Sequence, residues 1–387
     1  MKKIYFISAI LLIVMVECIE QRQAVNDDII KVDVTKSYSP KKELFLQDFM
    51  DVEYIALETN DNFINQGIVL DVGKEFILVK NNILLDGDIF VYDRTGKAIR
   101  KINNRGQGPG EYMNIKGIVL DEINNEMFVN NSFRRNIMVY DLLGNYKRSF
   151  KQPEEEGNPS YIDIYNFDDD NLICYDEFNE ERVFVLISKQ DGSITKKFKI
   201  PFNEKKIFQY MKDGQSSRPA IPTRTITTYN GNWILSDLSS DTIYTLLPDY
   251  SLRPFIVRTP RIQSMNPEVF LLLRILSDRY YFMETVRNEF DFDAVTGFPS
   301  KFMMYDKQEK AFLGYSVYNG DYSIKKEIYM NRLIPINNDI DSRQTIQAYE
   351  LIEAYRNGQL KNGKLKEIAS KLVEDDNPVI MLVKHKK

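Results

Sequence analysis

"IFVYDRTGKAIRKI" (89–102) and "IMVYDLLGNYKRSF" (137–150) are two renderings of one pattern. An apolar strand ends in Tyr-Asp, a polar turn with one glycine follows, and a second alternating strand leads away. That arrangement is a hairpin signal. Tyr92 and Tyr140 stand 48 residues apart. Looser copies follow in "VFVLISKQDGSITKKF" (183–198), "TIYTLLPDYSLRPF" (242–255) and "FMMYDKQEKAFLGY" (302–315). Shorter apolar runs precede three of these hairpins: "EMFVNN" (126–131), "NLICYDE" (171–177) and "NWILSD" (232–237). Three or four strands per period of about 40–50 residues is the mark of propeller blades.

Five copies are visible, and the chain ends supply a sixth. "DVEYIALET" (51–59) and "PVIMLVKHK" (378–386) are strands without a neighbour in sequence. Joining them in one blade removes an exposed sheet edge. The fold class is therefore all-β: a six-bladed β-propeller with N- and C-terminal strands closing one blade. Short C-terminal helices pack on the disc. "DSRQTIQAYELIEAYRNG" (341–358) reads as a helix capped by Asp341 and Ser342, and "GKLKEIASKLVEDDNP" (363–378) as a second one. Together they form a helical segment, 341–374, ahead of a closing strand, 378–386. "NPEVFLLLRILSD" (266–278) reads as a further short helix started by Asn-Pro.

Ahead of the propeller, 49–387, lie a leader, 1–18, and an extension, 19–48. Lys2-Lys3 followed by "IYFISAILLIVMV" is a secretory signal, too short for a comfortable transmembrane helix. Cys18 stands where a bacterial lipoprotein carries its lipid, although Glu17 is larger than such signals favour. The expected location is the periplasm or outer membrane. Contact with the membrane comes only through an N-terminal lipid anchor.

Composition narrows the chemistry. A net charge of −5 and a pI near 5.4 argue against a nucleic-acid partner. The one histidine, His385, is near the C-terminus, which excludes Ser-His-Asp and Cys-His catalysis unless the tail folds inward. No catalytic residue, metal ligand or cofactor is assigned. "FDDDN" (167–171) lacks the spaced ligands of a calcium loop and reads as a solvated turn, as does the acidic "PEEEGNP" (153–159). Cys174, in an apolar strand, reads as buried and inert.

"RGQGPGEYMN" (105–114) reads as a connection between blades, where glycine permits positive φ and close approach. The structural turn is Gly106, Gly108, Pro109 and Gly110. Through residue 150 this stretch resembles an NHL-type propeller repeat, with Gly117-Ile118-Val119 and Asp121 on the pattern. Ile115-Lys116 replaces the usual Pro-Arg. More widely, the GPGEY turn, the exported leader and the "EDDNPVIMLV" ending resemble six-bladed propeller lipoproteins of Gram-negative envelopes. That resemblance implies a fold and no settled activity.

Candidate binding residues are Arg105, Glu111 and Tyr112 at this groove, and Arg134 and Arg135, which suit an anionic group. The Pro-rich loop "SSRPAIPTR" (216–224) is a further binding element. The expected function is a monomeric binding or scaffold module for a glycan, a peptide or an envelope protein. The alternative is a calcium-dependent, lactonase-like hydrolase, with Asn81, Asn82, Asn130, Asn131 and Asp237 available around the channel.

Overall fold

The computed structural model describes residues 29–386, except 83–85, 153–160, 213–214, 218–220, 294–296 and 338–339. The leader with Cys18 and the acidic loop at 153–159 therefore lie outside the described residues, as does part of the Pro-rich loop.

Six antiparallel blades follow one another around an axis. Blade one is Ile68–Val72, Phe76–Lys80, Ile89–Asp93 and Ala98–Ile102, from the axis outward. Blade two is Gly117–Asp121, Glu126–Asn131, Asn136–Asp141 and Tyr146–Lys151, and blade three is Tyr161–Asn166, Asn171–Asp176, Phe184–Ser188 and Ile194–Phe198. Blade four is Ile226–Tyr229, Asn232–Leu235, Thr242–Leu246 and Leu252–Thr259. Blade five is Val269–Leu276, Tyr280–Arg287, Ser300–Asp306 and Ala311–Tyr318. Blade six is Ile334–Pro335, Ser342–Ile346, Val379–His385 and Met50–Ala56.

The closing blade joins the chain ends as expected. Val379–His385 pairs on one side with Ser342–Ile346 and on the other with Met50–Ala56, through seven consecutive residue partners from Val379↔Ala56 to His385↔Met50. The extension has a structure that composition did not reveal. Ile30–Asp33 adds in parallel to the outer strand of blade four, and Lys41–Phe45 adds in parallel to that of blade five. The chain then turns through Leu46–Phe49 into the outer strand of blade six, so the N-terminal strap covers three consecutive rims.

Each interface between blades has its own apolar core. Ile55, Val69, Phe90 and Leu382 fill the space between blades six and one; Val91, Ile118 and Val129 that between one and two. Corresponding clusters occupy the other four interfaces. The repeated Tyr-Asp is explained by this geometry. Tyr92 and Tyr140 are wholly buried, and their hydroxyls meet the connection that leads into their own blade: Tyr92 accepts from Asn65 Nδ2 at 2.6 Å, Tyr140 donates to Gly110 O at 2.9 Å. Asp93 and Asp141 each accept backbone N–H groups of the following turn, and Gly96 and Gly144 supply its left-handed residue (φ 87° and 94°).

Two expectations are corrected. Residues 269–276 form the innermost strand of blade five, not a helix. All but the first are buried, and a short apolar run buried on both faces carries no period with which to tell strand from helix. Likewise Ser342–Ile346 is a strand, and the helices are shorter than the 341–374 segment: Ala348–Arg356 and Lys364–Ala369. Their buried residues, among them Leu351, Ala354, Leu365 and Ile368, extend the core between blades five and six.

Candidate functional site

The GQGPGEY stretch proves to be a self-satisfied loop. Gly106, Gly108 and Gly110 are not among the positive-φ residues, which corrects half of the expectation for them. Close approach is what they provide. A Cβ on Gly106 would lie 2.0 Å from Glu111 Oε2, and one on Gly110 3.1 Å from the Tyr146 ring. Glu111 accepts the Gly108 N–H at 2.7 Å. Arg134 donates to the carbonyls of Gln107 (2.7 Å) and Gly108 (3.3 Å). Tyr112 is completely buried; its hydroxyl donates to Gly87 O and accepts from Asn104 N, and burial pushes its pKa up to about 12. Arg105 is exposed beside this loop, and Arg135 is an exposed turn residue with φ 50°.

The channel amides expected from sequence separate into two groups. Asn131, Asn81 and Asp237 are held by local bonds: Asn131 to Asn136 and the 113–114 backbone, Asn81 to Gln66 N, Asp237 to Tyr175, Lys205 and Ser239 N. Asn82 donates its backbone N–H to Gln66. Only Asn130 of the five lines the axial cavity.

Two arginines act as struts beside it, at the inner strands. Arg224, from the loop before blade four, reaches Asp341 and Ser342 of blade six and Leu333 O. Arg274, on the innermost strand of blade five, binds Glu284 Oε2 through Nε and Nη2 (2.9 and 2.6 Å) and donates to Pro222 O. The cavity, about 140 Å³, is walled by blades one, two, three and six. Its polar lining includes Asp71, Lys116, Asn130, Asp163, Asn166 and Asn337.

Two acceptors in this wall are buried and lack a partner among the described residues, Asn130 Oδ1 and Asn166 Oδ1. Asn130 is held in place by its amide N–H bond to Tyr161 O at 2.8 Å and is only 4% exposed. Asp163 accepts from Thr225 Oγ1 at 2.5 Å, and burial raises its carboxyl against the pull of Thr225 and Lys116. Asp71 ties three blades together: it accepts from Val72 N, from Leu120 N of blade two and from Asn337 Nδ2 beside blade six. Among the described residues, no three His, Cys, Asp or Glu side chains converge as a metal site.

His385 ends the third strand of blade six. Its Nε2 is 3.7 Å from Asp341 Oδ1 and its ring is edge-on to Tyr229. No hydroxyl or thiol nucleophile is paired with it in the described residues. Cys174 is buried on the second strand of blade three, with its thiol pKa pushed up by desolvation.

Asp71 gives the site a pH signature. Burial, outweighing its hydrogen bonds, raises it from 3.8 to about 6. A carboxyl raised in the folded state stabilises the fold below its unfolded pKa and loses that contribution as pH rises through the folded value. The expected loss between pH 4 and 6.5 is on the order of 2–3 kcal/mol. Urea titrations of wild type and Asp71→Asn across this range check it; equal pH slopes would refute the assignment.

The blades and their axial cavity define a six-bladed β-propeller. Within that class the chain belongs to the DUF4934 family, a domain of unknown function, whose model matches residues 29–384. It is similar in fold to a Bacteroides fragilis NCTC 9343 protein whose name describes it as exported: TM-score 0.58 at 15% identity, covering 93% of this chain and 100% of that one. A member of the DUF4221 family from Bacteroides vulgatus ATCC 8482 gives a TM-score of 0.48 at 12% identity, covering 88% and 99%. No curated protein matches the chain. No helix among the described residues is long and apolar enough to cross a membrane.

Proposed function

We propose that this is an exported propeller, lipid-anchored through Cys18, which acts by binding and seats one end group of a glycan or peptide in the axial cavity. The observation that carries the reading is the pair of buried amide oxygens in its wall, Asn130 Oδ1 and Asn166 Oδ1, which have no partner among the described residues. A buried acceptor without a donor is costly, and a ligand hydroxyl or N–H supplies the missing bond. The arginine struts support a dead-end seat rather than a passage. The small volume suits a terminal group, with the remainder of the ligand lying over the mouth.

Glycan and peptide arrays followed by calorimetry test this. The expected result is a ligand whose affinity falls at least about tenfold in Asn130→Leu and Asn166→Leu, each removing one hydrogen bond to the ligand. A ligand indifferent to both, but weakened by Arg105→Ala or Arg135→Ala, would move the site to the rim beside the GPGEY turn. The envelope-resident scaffold reading then gains ground.

A further inference from the structure

Resting on the axial cavity as the binding seat, we infer that the end group it takes is the amino terminus of a peptide. Asp163 and Asn130 hold the α-ammonium, and the first side chain lies deeper between the inner strands.

The wall of the cavity is a surface of acceptors. Its side-chain atoms that are buried without a partner among the described residues are both amide oxygens, Asn130 Oδ1 and Asn166 Oδ1. Two carboxylates, Asp71 and Asp163, line it against one cation, Lys116, which is itself an exposed residue. The two arginine struts leave that balance alone, because Arg224 is matched by Asp341 and Arg274 by Glu284. Acceptors with a surplus of negative charge call for a ligand group that has donors and a positive charge.

The acceptors stand at two levels. Asn130, 4% exposed, pairs in register with Gly117, the first residue of Gly117–Asp121, and its Nδ2 binds Tyr161 O at the start of the inner strand of blade three. Asp163 is two residues further along that strand, and its Oδ2 is engaged by Thr225 Oγ1. Exposed Lys116 immediately precedes Gly117, so this level opens to solvent. The second level lies toward the turns that end the inner strands. Asn166 is the last residue of Tyr161–Asn166, and Asp71 reaches Leu120 N near the end of Gly117–Asp121. Asp71 already accepts from Val72 N, Leu120 N and Asn337 Nδ2, so it adds charge and no free acceptor. From Asp163 to Asn166 is about 10 Å along the strand. The wall also carries Ile118, Val119, Phe128 and Ile164, which are apolar.

A peptide amino terminus fits this order. Its α-ammonium has donors and no acceptor, and binds the free oxygen of Asp163 and Asn130 Oδ1 near the mouth through charge-assisted bonds. Burial raises the Asp163 carboxyl in spite of Thr225 and Lys116, a shift that a cation seated beside it reverses. The first side chain follows the apolar wall inward, where a terminal hydroxyl or amine meets Asn166 Oδ1. The rest of the peptide lies over the mouth. A cavity of about 140 Å³ has room for one such residue. A sugar ring suits it less, since every hydroxyl brings acceptor lone pairs that this wall does not answer.

The test is a melting series in HEPES near neutral pH, with ionic strength held constant by sodium chloride. The dipeptide amides Ala-Ala, Ser-Ala and Lys-Ala are titrated with a free amino terminus and, as controls, in Nα-acetylated form. Glucosamine with N-acetylglucosamine, and calcium chloride, are parallel arms. At tenfold excess over Kd the wild type is expected to gain about 2 °C with at least one free dipeptide and nothing with its acetylated form. Asp163→Asn keeps an acceptor for Thr225 and removes the charge; it is expected to weaken that binding at least about tenfold. Should the variant fail to fold, Lys116→Gln, at an exposed position, carries the test. Without the wall's one cation the same dipeptide is expected to bind about threefold more tightly.

Equal gains from free and acetylated forms, binding that ignores Asp163→Asn, or unchanged or weaker binding in Lys116→Gln overturns the inference. So does a cavity that answers to glucosamine or calcium and to no dipeptide. A neutral ligand that needs Asn130 and ignores Asp163 overturns the ammonium and leaves the binding seat standing. Silence from every ligand in the cavity overturns both.

Discussion

Arg224→Ala is expected to lower the free energy of unfolding by about 3–5 kcal/mol, the usual cost of breaking a buried ion pair from one side. Arg224 is 3% exposed and Asp341 5% exposed, so both charges lie out of water. Arg224 also satisfies Ser342 Oγ and Leu333 O, so its removal strands several acceptors at once. The paired replacement Arg224→Met with Asp341→Leu should recover most of the loss, since an apolar pair avoids the desolvation of both charges. Urea denaturation of the four proteins measures this. A single-mutant cost below about 1 kcal/mol would mean the strut is solvated and the channel open.

Ending the chain at Asn377 is expected to abolish folding. Val379–His385 is an interior strand of blade six, and its loss leaves two unpaired edges facing each other. Val379, Ile380, Met381, Leu382 and Val383 are at most 1% exposed. Withdrawing five such side chains forfeits roughly 10 kcal/mol at about 1.5–3 kcal/mol each. That is comparable to the whole stability of an ordinary domain, about 5–15 kcal/mol. The truncated chain should elute as aggregate and lack the melting transition of the intact protein. A monodisperse, cooperatively melting product would show instead that five blades hold without closure.

Hairpins were legible because their information is local: alternation, an Asp-capped turn and a glycine at positive φ all fall within fourteen residues, as in 89–102. Closure was legible for a related reason, since two orphan strands at the chain ends have few other partners. Val269–Leu276 was misread because burial on both faces erases alternation. Ser342–Ile346 was misread because Asp341 and Ser342 look like caps, whereas here they are the far end of the Arg224 strut. The site was mostly illegible. Asn130 was among the channel candidates, but Asp71 comes from blade one, Asp163 and Asn166 from blade three, and Asn337 from beside blade six. Nothing in their spacing marks them, and a one-residue change in register would turn each away from the axis. The GPGEY cluster was conspicuous for the opposite reason: a loop that packs on itself must write all its partners in one short stretch.

The N-terminal strap gives the molecule a mechanical direction. An anchor upstream of Ile29 would hold the disc by its circumference, at the outer strand of blade four. A pull on that attachment runs along Ile30–Asp33 and Lys41–Phe45, so their ladder bonds are loaded together in shear rather than opened one by one like a zip. Tension reaching the outer strand of blade six would then have to slide Met50–Ala56 past Val379–His385. The seam that makes the ring complete is also the one through which a tethered load would pass.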